Sequence, residues 1–205
     1  MQTPPDSVDT CDQLDTVHNA SRFLCTPDDY YCTEFQTWMR QRRSQQIWIH
    51  NILAGKESLL RHKTFELCYY QHKAGHSVKD RFVVFFTDAT LWTIRELTIE
   101  HKEMLEHASY CVRWWLKDHG FDADLYTTWF HYMPSAFQLH FHVAPKAALA
   151  EEGRDRVHLL QEVLENLSSN TDYYKHASIP TSFRHIQKST KQRKNRRDRQ
   201  KLDLC

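Results

Sequence analysis

The chain has 205 residues, of which 40% are hydrophobic and 13% aromatic, which suits one domain with appended segments and excludes a chain that is disordered throughout. No run approaches the roughly 18 apolar residues of a membrane-spanning helix and no secretory signal precedes the body, so we expect an intracellular protein without a membrane partner. The net charge of +1 conceals an asymmetry, since residues 186–205 carry +6 and the remainder −5.

The chain divides into three regions by composition. Residues 1–20 are polar and predicted to be loosely ordered, and residues 21–45 carry scattered aromatics that indicate a short helical piece packed on the body. We therefore predict an N-terminal segment over 1–45, a catalytic domain over 46–185 and a basic disordered tail over 186–205.

The first half of the predicted domain holds a helix and two strands. Residues Ile47–Leu53 are apolar and run into Gly55, which predicts a helix with a glycine C-cap. Residues Thr64–Tyr70 alternate in character and predict a strand. The short apolar run Phe82–Phe86 predicts a central strand that is buried on both faces.

The second half begins with the longest predicted helix, which has Thr98 as its N-cap and ends at Gly120. Two β-rich stretches, Tyr126–Tyr132 and Phe137–Val143, are separated by a short connection and predict an antiparallel hairpin. A last helix is predicted over Val157–Leu167. This order of elements predicts an α+β fold built on an antiparallel sheet.

The second strand of that hairpin carries the candidate chemistry. Side chains alternate along a strand, so Gln138, His140 and His142 are predicted to share one exposed face. An imidazole can attack phosphorus, and a neighbouring imidazole can donate a hydrogen bond to the leaving oxygen. The attacking nitrogen must be unprotonated and the other nitrogen held by a partner, for which the candidates are a backbone carbonyl, Ser135 or His131.

The spacing of the histidines alone is compatible with three interpretations of this strand. His140 could be a nucleophile, or the two strand histidines could bind zinc with His72, His76 or His131 as a third ligand. Fourteen histidines in one chain also make a chance His-x-His plausible. The six cysteines are irregularly spaced without a CxxC pair, so we expect reduced thiols rather than a zinc knuckle or a disulfide framework.

Several motifs in a fixed order favour the nucleophile. They are Trp48-Ile49-His50-Asn51-Ile52-Leu53, Ile94-Arg95-Glu96-Leu97-Thr98-Ile99-Glu100-His101, the hairpin segment Phe130–Val143, and His158–Leu167 followed by Tyr173-Tyr174. Together they resemble the C-terminal catalytic domain of the scavenger mRNA decapping enzyme (m7GpppX diphosphatase) family, a branch of the histidine triad superfamily. The resemblance implies a histidine-triad-like antiparallel sheet with a long helix and a C-terminal helix.

The resemblance also implies a mechanism that uses neither metal nor cofactor. His140 would attack the phosphate next to the methylguanosine, form a covalent nucleotidyl-histidine and then be freed by water. His142 would hold the α-phosphate or the leaving oxygen, while His131 and Ser135 would contact phosphate oxygens. Gln138 stands where the family has the first histidine of the triad and keeps a hydrogen-bonding side chain.

The same resemblance assigns residues that bind the cap. Trp48 matches the tryptophan that stacks on the methylated base, a cationic ring that suits an indole face. In a strict alignment the family's cap-binding glutamate falls at Ser58. If the alignment is shifted by one residue, Glu57 takes the place of that glutamate. Lys73 is assigned the role of the basic group.

The expected function is hydrolysis of the 5'-5' triphosphate of short capped RNA or cap dinucleotide, giving m7GMP and a nucleoside diphosphate. The alternatives are a broader hydrolase of dinucleoside polyphosphates or nucleoside phosphoramidates, and a catalytically impaired protein that binds caps or RNA. We expect the basic tail to contact RNA or to act as a nuclear localisation signal, which predicts a cytoplasmic or nuclear protein. By analogy with other histidine triad proteins we expect a homodimer.

Overall fold

The computed structural model describes residues 22–70, 80–152 and 156–182. Lys73, His72, His76 and the basic tail lie outside the described residues. The α-helices are α1 (Pro27–Tyr31), α2 (Thr33–Ser44), α3 (Ile47–Leu53), α4 (Lys102–Asp118), α5 (Leu160–Ser169) and α6 (Tyr173–His176). The β-strands are β1 (Arg22–Cys25), β2 (Ser58–Arg61), β3 (Phe65–Tyr69), β4 (Phe82–Phe86), β5 (Tyr126–His131), β6 (His140–Pro145), β7 (Val157–Leu159) and β8 (Ile179–Ser182).

Within the described ranges, six strands form one antiparallel sheet in the order β2-β3-β4-β6-β5-β7. Strands β1 and β8 form a separate two-stranded sheet. The predicted α+β fold, with an antiparallel sheet, a long helix and a C-terminal helix, is confirmed. No helix in the described part of the chain is both long and apolar enough to cross a bilayer.

Strand β4 lies inside the sheet, and all of its residues are buried. Phe82, Val84 and Phe86 belong to the main hydrophobic core, whereas Val83 and Phe85 belong to a smaller apolar cluster on the opposite face. This arrangement confirms the prediction of a central strand covered on both sides, because a continuous apolar run can bury both of its faces only in that position.

Helix α4 covers the main core with one face. Its buried residues recur at helical spacing and are Leu105, Ala108, Val112, Trp115 and Leu116. The chain enters the helix through a 3-10 turn over Ile99–His101, at which Thr98 and His101 bond reciprocally. The helix stops before Gly120, whose φ of +80° suits glycine. The predicted long helix is thus confirmed. The α-helix itself begins at Lys102, because the 3-10 turn lies between it and the predicted N-cap Thr98.

The two helices that precede α3 belong to the same compact unit as the sheet, which spans Leu24–Thr181. Thr26 and Asp29 form a capping box at the start of α1. Tyr30 of α1 and Met39 of α2 are fully buried in the main core. The compact unit therefore begins earlier in the chain than the predicted domain start at residue 46.

The guanidinium of Arg95 ties distant parts of this unit together. Its side chain is 1% exposed and donates to the Tyr132 hydroxyl at 3.1 Å, to the carbonyl of Tyr174 at 2.8 Å and to the carbonyls of Cys25 and Ala177. A buried cation is tolerated only when its donors are satisfied, and here most acceptors are main-chain carbonyls. Arg95 thereby anchors the segment that follows α6.

Two elements differ from the sequence prediction. Residues Val157–Leu159 are not the start of a helix but form β7, which pairs with β5 through Phe130 opposite His158. The edge of β5 offers hydrogen-bond partners to residues Val157–Leu159. These residues therefore form a strand, although their apolar spacing continues that of helix α5. Strand β2, which the sequence analysis left unassigned, forms a hairpin with β3.

Candidate active site

One face of the sheet carries the candidate site. Residue His140 of β6 lies opposite Phe85 of β4, which in turn lies opposite Glu66 of β3. His142 lies opposite Val83 on one side and opposite Trp129 of β5 on the other. Side chains two residues apart on a strand point to the same face of the sheet. His140, His142 and the residues opposite them therefore line one surface.

The imidazole of His140 is held in one tautomer. Its side chain is 6% exposed, its Nδ1 lies 2.7 Å from the main-chain oxygen of Gln138, and its ring stacks on Phe85 with centroids 4.9 Å apart. A carbonyl oxygen can only accept, so Nδ1 carries the proton and Nε2 is the unprotonated nitrogen. Of the partners considered from the sequence, the backbone carbonyl is the one that holds this ring.

Burial lowers the pKa of His140 from 6.5 to about 4. The hydrogen bond to Gln138 opposes this shift, and His131 adds to it. Desolvation disfavours the charged imidazolium, so the ring is neutral at physiological pH. A neutral imidazole with a free Nε2 is the form that can attack phosphorus.

His142 lies within a group of aromatic rings. It stacks on Trp129 with centroids 5.7 Å apart and planes at 19°, and its edge contact with Tyr70 has a centroid separation of 5.0 Å. Its ring centroid is 5.3 Å from that of His140 and 4.5 Å from that of His131. The three histidines that the sequence analysis singled out therefore converge on one place.

His131 is bonded to groups that sequence reasoning missed. Its Nε2 lies 3.1 Å from a carboxylate oxygen of Glu152, and Arg81 binds the other oxygen of the same carboxylate at 3.1 Å. A second carboxylate, Glu151, pairs with Arg81 at 2.5 Å. These acids follow β6 in the 3-10 segment Lys146–Glu151 and its C-cap, where no motif marks them.

The side chain of Gln138 does not share the histidine face. It is completely buried, its Nε2 donates to the carbonyls of Phe86 and Asp88 at 2.6 and 2.7 Å, and its Oε1 accepts from Arg43 at 2.8 Å. Strand β6 begins at His140, so the alternation predicted for residues 138, 140 and 142 fails at its first member. The contribution of Gln138 to the site is its main-chain carbonyl.

The loop between β5 and β6 is fixed by Gln46. This side chain is 7% exposed, its Nε2 donates to the carbonyl of Ser135 at 2.6 Å and its Oε1 accepts from the amide of Phe137 at 3.0 Å. The side chain of Ser135 is exposed. Gln46 therefore sets the position of the loop immediately before the histidine strand, although nothing in its sequence context indicated a role.

Trp48 lies at the first turn of α3. It is 48% exposed, and its ring makes an edge contact with Phe85 at 5.7 Å. Because Phe85 also stacks on His140, a single ring separates the indole from the candidate nucleophile. Ile49 and Ile52 anchor this helix on the sheet. The exposure of such a large apolar ring beside a buried imidazole fits a platform for a planar ligand.

Glu57 is exposed, and the buried carboxylate near Ser58 is instead Glu66. Glu66 accepts a hydrogen bond from the Ser58 hydroxyl and lies 2.9 Å from Arg61 Nε. The same oxygen that faces Arg61 has no aligned hydrogen-bond donor in the described residues. Burial, together with Glu66, raises the pKa of the neighbouring Cys68 thiol to about 11, so this cysteine stays protonated and does not compete as a nucleophile.

Across residues 22–70, 80–152 and 156–182, no group of three or more histidine, cysteine, aspartate or glutamate side chains is arranged to hold a metal ion. His140 and His142 instead face aromatic rings and each other. The two imidazoles therefore lie side by side on one face of the sheet.

Comparison with known proteins identifies similar sequences. The profile of the family described as "Scavenger mRNA decapping enzyme C-term binding" matches residues 48–158. The m7GpppX diphosphatases of Bos taurus and Rattus norvegicus are 29% and 30% identical over 97 residues, and that of Homo sapiens is 30% identical. These matches cover 45% of this chain, and the chain spans 28% of the length of the curated relatives.

Solved structures of similar architecture include the aprataxin ortholog Hnt3 in complex with DNA, with a TM-score of 0.45 and 15% identity over 77% of this chain and 94% of that one. Hnt3 from Schizosaccharomyces pombe has a TM-score of 0.43 and 14% identity, over 75% of this chain and 91% of that one. At such TM-scores these similarities carry no argument about function.

Proposed function

Because the chain belongs to the scavenger mRNA decapping enzyme family, to whose C-terminal region residues 48–158 correspond, we propose that it is a nucleotide hydrolase that cleaves the 5'-5' triphosphate of cap dinucleotides or short capped RNA. The products are m7GMP and a nucleoside diphosphate. The proposed reaction requires no metal and no cofactor.

The observation that carries the proposal is the tautomer of His140. Its Nδ1–H is bonded to the Gln138 carbonyl at 2.7 Å, and burial keeps the ring neutral. An imidazole prepared in this way needs no separate base before it attacks, since the attacking lone pair on Nε2 is already free. Because the ring is already ordered, little of its orientational entropy is lost when the substrate binds.

The reaction has two steps. In the first, Nε2 of His140 forms a bond to the phosphorus next to methylguanosine, and the bond from that phosphorus to the bridging oxygen breaks, with its electron pair leaving on the nucleoside diphosphate. The ring then carries a positive charge that its Nδ1–H shares with the Gln138 carbonyl, which stabilises it. His142, whose ring is 5.3 Å away, donates a hydrogen bond to the leaving oxygen. In the second step, water attacks phosphorus and frees His140.

Substrate binding uses the surface around these histidines. Trp48 stacks on the methylated base. Two observations support this role: its indole is exposed, and it contacts Phe85, which packs against the histidine strand. Ser135 contacts phosphate oxygens, as the family resemblance implies. Glu57 and Lys73 are the cap-binding residues proposed from the sequence, and Glu66 is the buried carboxylate that lies closest to the position of Ser58.

The test is a mass analysis of products from a methylated cap dinucleotide. We expect wild-type protein to release m7GMP without added metal and in the presence of a chelator, and we expect His140→Asn to release none while its melting temperature stays close to wild type. Intact protein mass should show a covalent m7GMP adduct in wild type and none in His140→Asn. Full activity of His140→Asn would refute the mechanism.

A broader substrate range is a second candidate, and the exposure of Glu57 favours it. A carboxylate that reads a base must be desolvated to discriminate strongly, and Glu57 is in contact with solvent. Turnover of methylated and unmethylated cap dinucleotides separates the two functions. A ratio of kcat/KM near one supports a general dinucleoside polyphosphate hydrolase, whereas a large preference for the methylated compound supports the cap hydrolase.

A further inference from the structure

A buried indole lies beside the histidines of the site. Trp129 is 1% exposed and lies opposite His142 in the sheet. Its ring stacks on that imidazole with centroids 5.7 Å apart, and its Nε1 donates to Nε2 of His131 at 3.1 Å. One tryptophan therefore contacts both of the site histidines other than His140.

The indole is fixed by its surroundings. Trp129 pairs across the sheet with His142 on one side and with Leu159 of β7 on the other. It also packs in an apolar cluster with Ala144 and Ala148. A large ring that is enclosed in this way has few rotamers open to it, so the direction of its N–H group is set before a substrate binds.

The hydrogen bond from Trp129 determines where His131 carries its proton. An indole N–H group can only donate, so Nε2 of His131 accepts and holds a lone pair. A neutral imidazole has a single N–H group, which must then be on Nδ1. Nδ1 is thus the nitrogen with which neutral His131 can donate a hydrogen bond to a ligand.

A carboxylate lies equally near the same nitrogen but is worse placed to bind a proton on it. Glu152 Oε2 is 3.1 Å from Nε2 of His131, yet no aligned hydrogen bond joins the two side chains. The charge of Glu152 is partly balanced by Arg81, whose buried guanidinium donates to Oε1 at 3.1 Å. A proton on Nε2 would point at the N–H group of Trp129 and break an aligned hydrogen bond. The indole therefore outweighs the carboxylate.

His131 and His140 thus carry their protons on the same nitrogen for different reasons. For His140 an acceptor, the carbonyl of Gln138, binds the proton on Nδ1 and leaves the lone pair of Nε2 free for attack. For His131 a donor, the indole of Trp129, binds the lone pair of Nε2. Neutral His131 can therefore donate to a phosphate oxygen, but its Nε2 cannot compete with His140 as a nucleophile.

We propose that Trp129 is a positioning residue for the hydrolysis, because its N–H group keeps the proton of His131 on Nδ1, from which the ring donates to a phosphate oxygen of the substrate. This inference rests on the proposed function and supplies a physical cause for the phosphate contact that the family resemblance implies for His131. A donor whose proton is placed in advance stabilises the negative oxygens of the transferred phosphate without reorganising during the reaction.

Nitrogen-15 spectra of the full-length protein test the position of the proton without any turnover. The side-chain signals of His131 are assigned by their loss in His131→Asn and recorded at pH 7.5. In wild type we expect a protonated Nδ1, an unprotonated Nε2, and a scalar coupling between Nε1 of Trp129 and Nε2 of His131 across the hydrogen bond. A proton on Nε2 in wild type, alone or together with one on Nδ1, would overturn the inference.

Trp129→Phe removes the N–H group but keeps an aromatic ring beside His142. We expect the proton of His131 to move to Nε2 in this variant, because the indole donor is gone and the acceptor Glu152 remains close to that nitrogen. Glu152→Gln should keep the proton on Nδ1, because it leaves the indole in place. A proton that stays on Nδ1 in Trp129→Phe would show that the indole does not decide the tautomer.

The matched control is Trp115→Phe. Trp115 is a second buried tryptophan, which lies on α4 and packs against Phe82 in the main core, on the opposite face of the sheet. This substitution removes the same atoms, so we expect it to lower the melting temperature while the spectrum of His131 and kcat stay as in wild type. If it moves the proton or slows turnover as Trp129→Phe does, the effect comes from lost packing and Trp129 has no specific role.

Steady-state kinetics with the methylated cap dinucleotide test the consequence for turnover. We expect Trp129→Phe to lose about 100-fold in kcat, as for the loss of one preorganised donor, with a smaller change in KM. The double variant Trp129→Phe/His131→Asn should be no slower than His131→Asn, because Trp129 acts through His131. The scalar coupling in wild type tests the hydrogen bond even if Trp129→Phe does not fold.

Two results separate the inference from the proposed function. If wild-type protein releases no product, the hydrolase proposal fails and the positioning role fails with it, while the spectra still decide where the proton lies. If wild type is active and Trp129→Phe moves the proton but keeps its full kcat, the hydrolase proposal survives and the positioning role is wrong.

Discussion

The main-chain oxygen of Gln138 accepts a 2.7 Å hydrogen bond from the Nδ1–H group of His140. The side chain of Gln138 turns the other way and is bonded to Phe86, Asp88 and Arg43. Position 138 therefore acts on the proposed nucleophile His140 through its backbone, and its side chain sets where that backbone lies. The tautomer of His140 is thus fixed without an imidazole at position 138.

The first prediction concerns Gln138→His, which restores the histidine of the family pattern. The amide of Gln138 donates two hydrogen bonds and accepts one, whereas a neutral imidazole has one donor and one acceptor. One buried carbonyl loses its partner, so we expect the free energy of unfolding to fall by about 1–3 kcal/mol and kcat not to rise. Urea unfolding and steady-state kinetics measure the two quantities.

Gln161→His is the control for that substitution, because Gln161 is exposed on α5 and its side chain donates to the equally exposed Glu165. It should leave the unfolding midpoint unchanged. A Gln138→His protein that is as stable as wild type and hydrolyses faster would contradict the prediction.

The second prediction concerns pH. Burial lowers the pKa of His140 and of His158 from 6.5 to about 4, and for His158 the charges of His131 and Arg95 add to the effect. Between pH 6.5 and about 4, these histidines bind more protons in the unfolded chain than in the folded one. The free energy of unfolding therefore falls as the pH is lowered through this range. Each histidine contributes about 3 kcal/mol to this loss.

Urea unfolding at pH 7.5 and pH 4.5 measures this dependence. Replacing His158 by Asn removes one of the two titrating rings, so the difference between the two pH values should shrink even if the variant is less stable overall. Equal midpoints at both pH values in wild type would show that these rings are not held neutral by the fold.

The third prediction concerns Trp48→Ala. The indole is 48% exposed, so its loss should change stability little, but a stacked base contributes about 1–3 kcal/mol to binding. We expect KM for the cap dinucleotide to rise about 10- to 100-fold, with a smaller change in kcat. Trp114→Ala removes another exposed tryptophan, on the outer face of α4, and should leave KM unchanged. Equal effects of the two substitutions would argue against a base platform at Trp48.

The fourth prediction concerns Arg95→Met. This substitution removes the donors to the carbonyls of Cys25, Tyr174 and Ala177, which stay buried without partners. We expect the free energy of unfolding to fall by about 2–4 kcal/mol and limited proteolysis to begin after α6. Arg113→Met, which breaks the exposed pair with Asp124, serves as the comparison and should leave the unfolding midpoint unchanged.

Local patterns determined much of the fold. Apolar spacing predicted α3, α4 and the buried strand β4, and glycines marked the ends of both helices. The His-x-His pattern with its flanking motifs predicted the catalytic strand and the family. Such signals are readable because periodicity and capping involve residues within a few positions of each other.

Other features depended on contacts between segments far apart in the chain. Strand β7 exists because β5 offers an open edge, although its residues continue the apolar spacing of α5. In the sequence Gln138 continues the alternation of β6, yet in the structure its side chain binds the carbonyls of Phe86 and Asp88 and leaves that face. Neither outcome follows from the local sequence.

The amino-acid sequence by itself predicted His140 as the nucleophile, since its place in a strand and in a set of ordered motifs is a local property. Only the tertiary structure decided which nitrogen of His140 is unprotonated. That choice depends on the acceptor next to the ring, which is the main-chain carbonyl of Gln138. That carbonyl is held in place by the bonds of the Gln138 side chain to Phe86, Asp88 and Arg43, which lie far away in the chain, so the position of the proton is a product of folding.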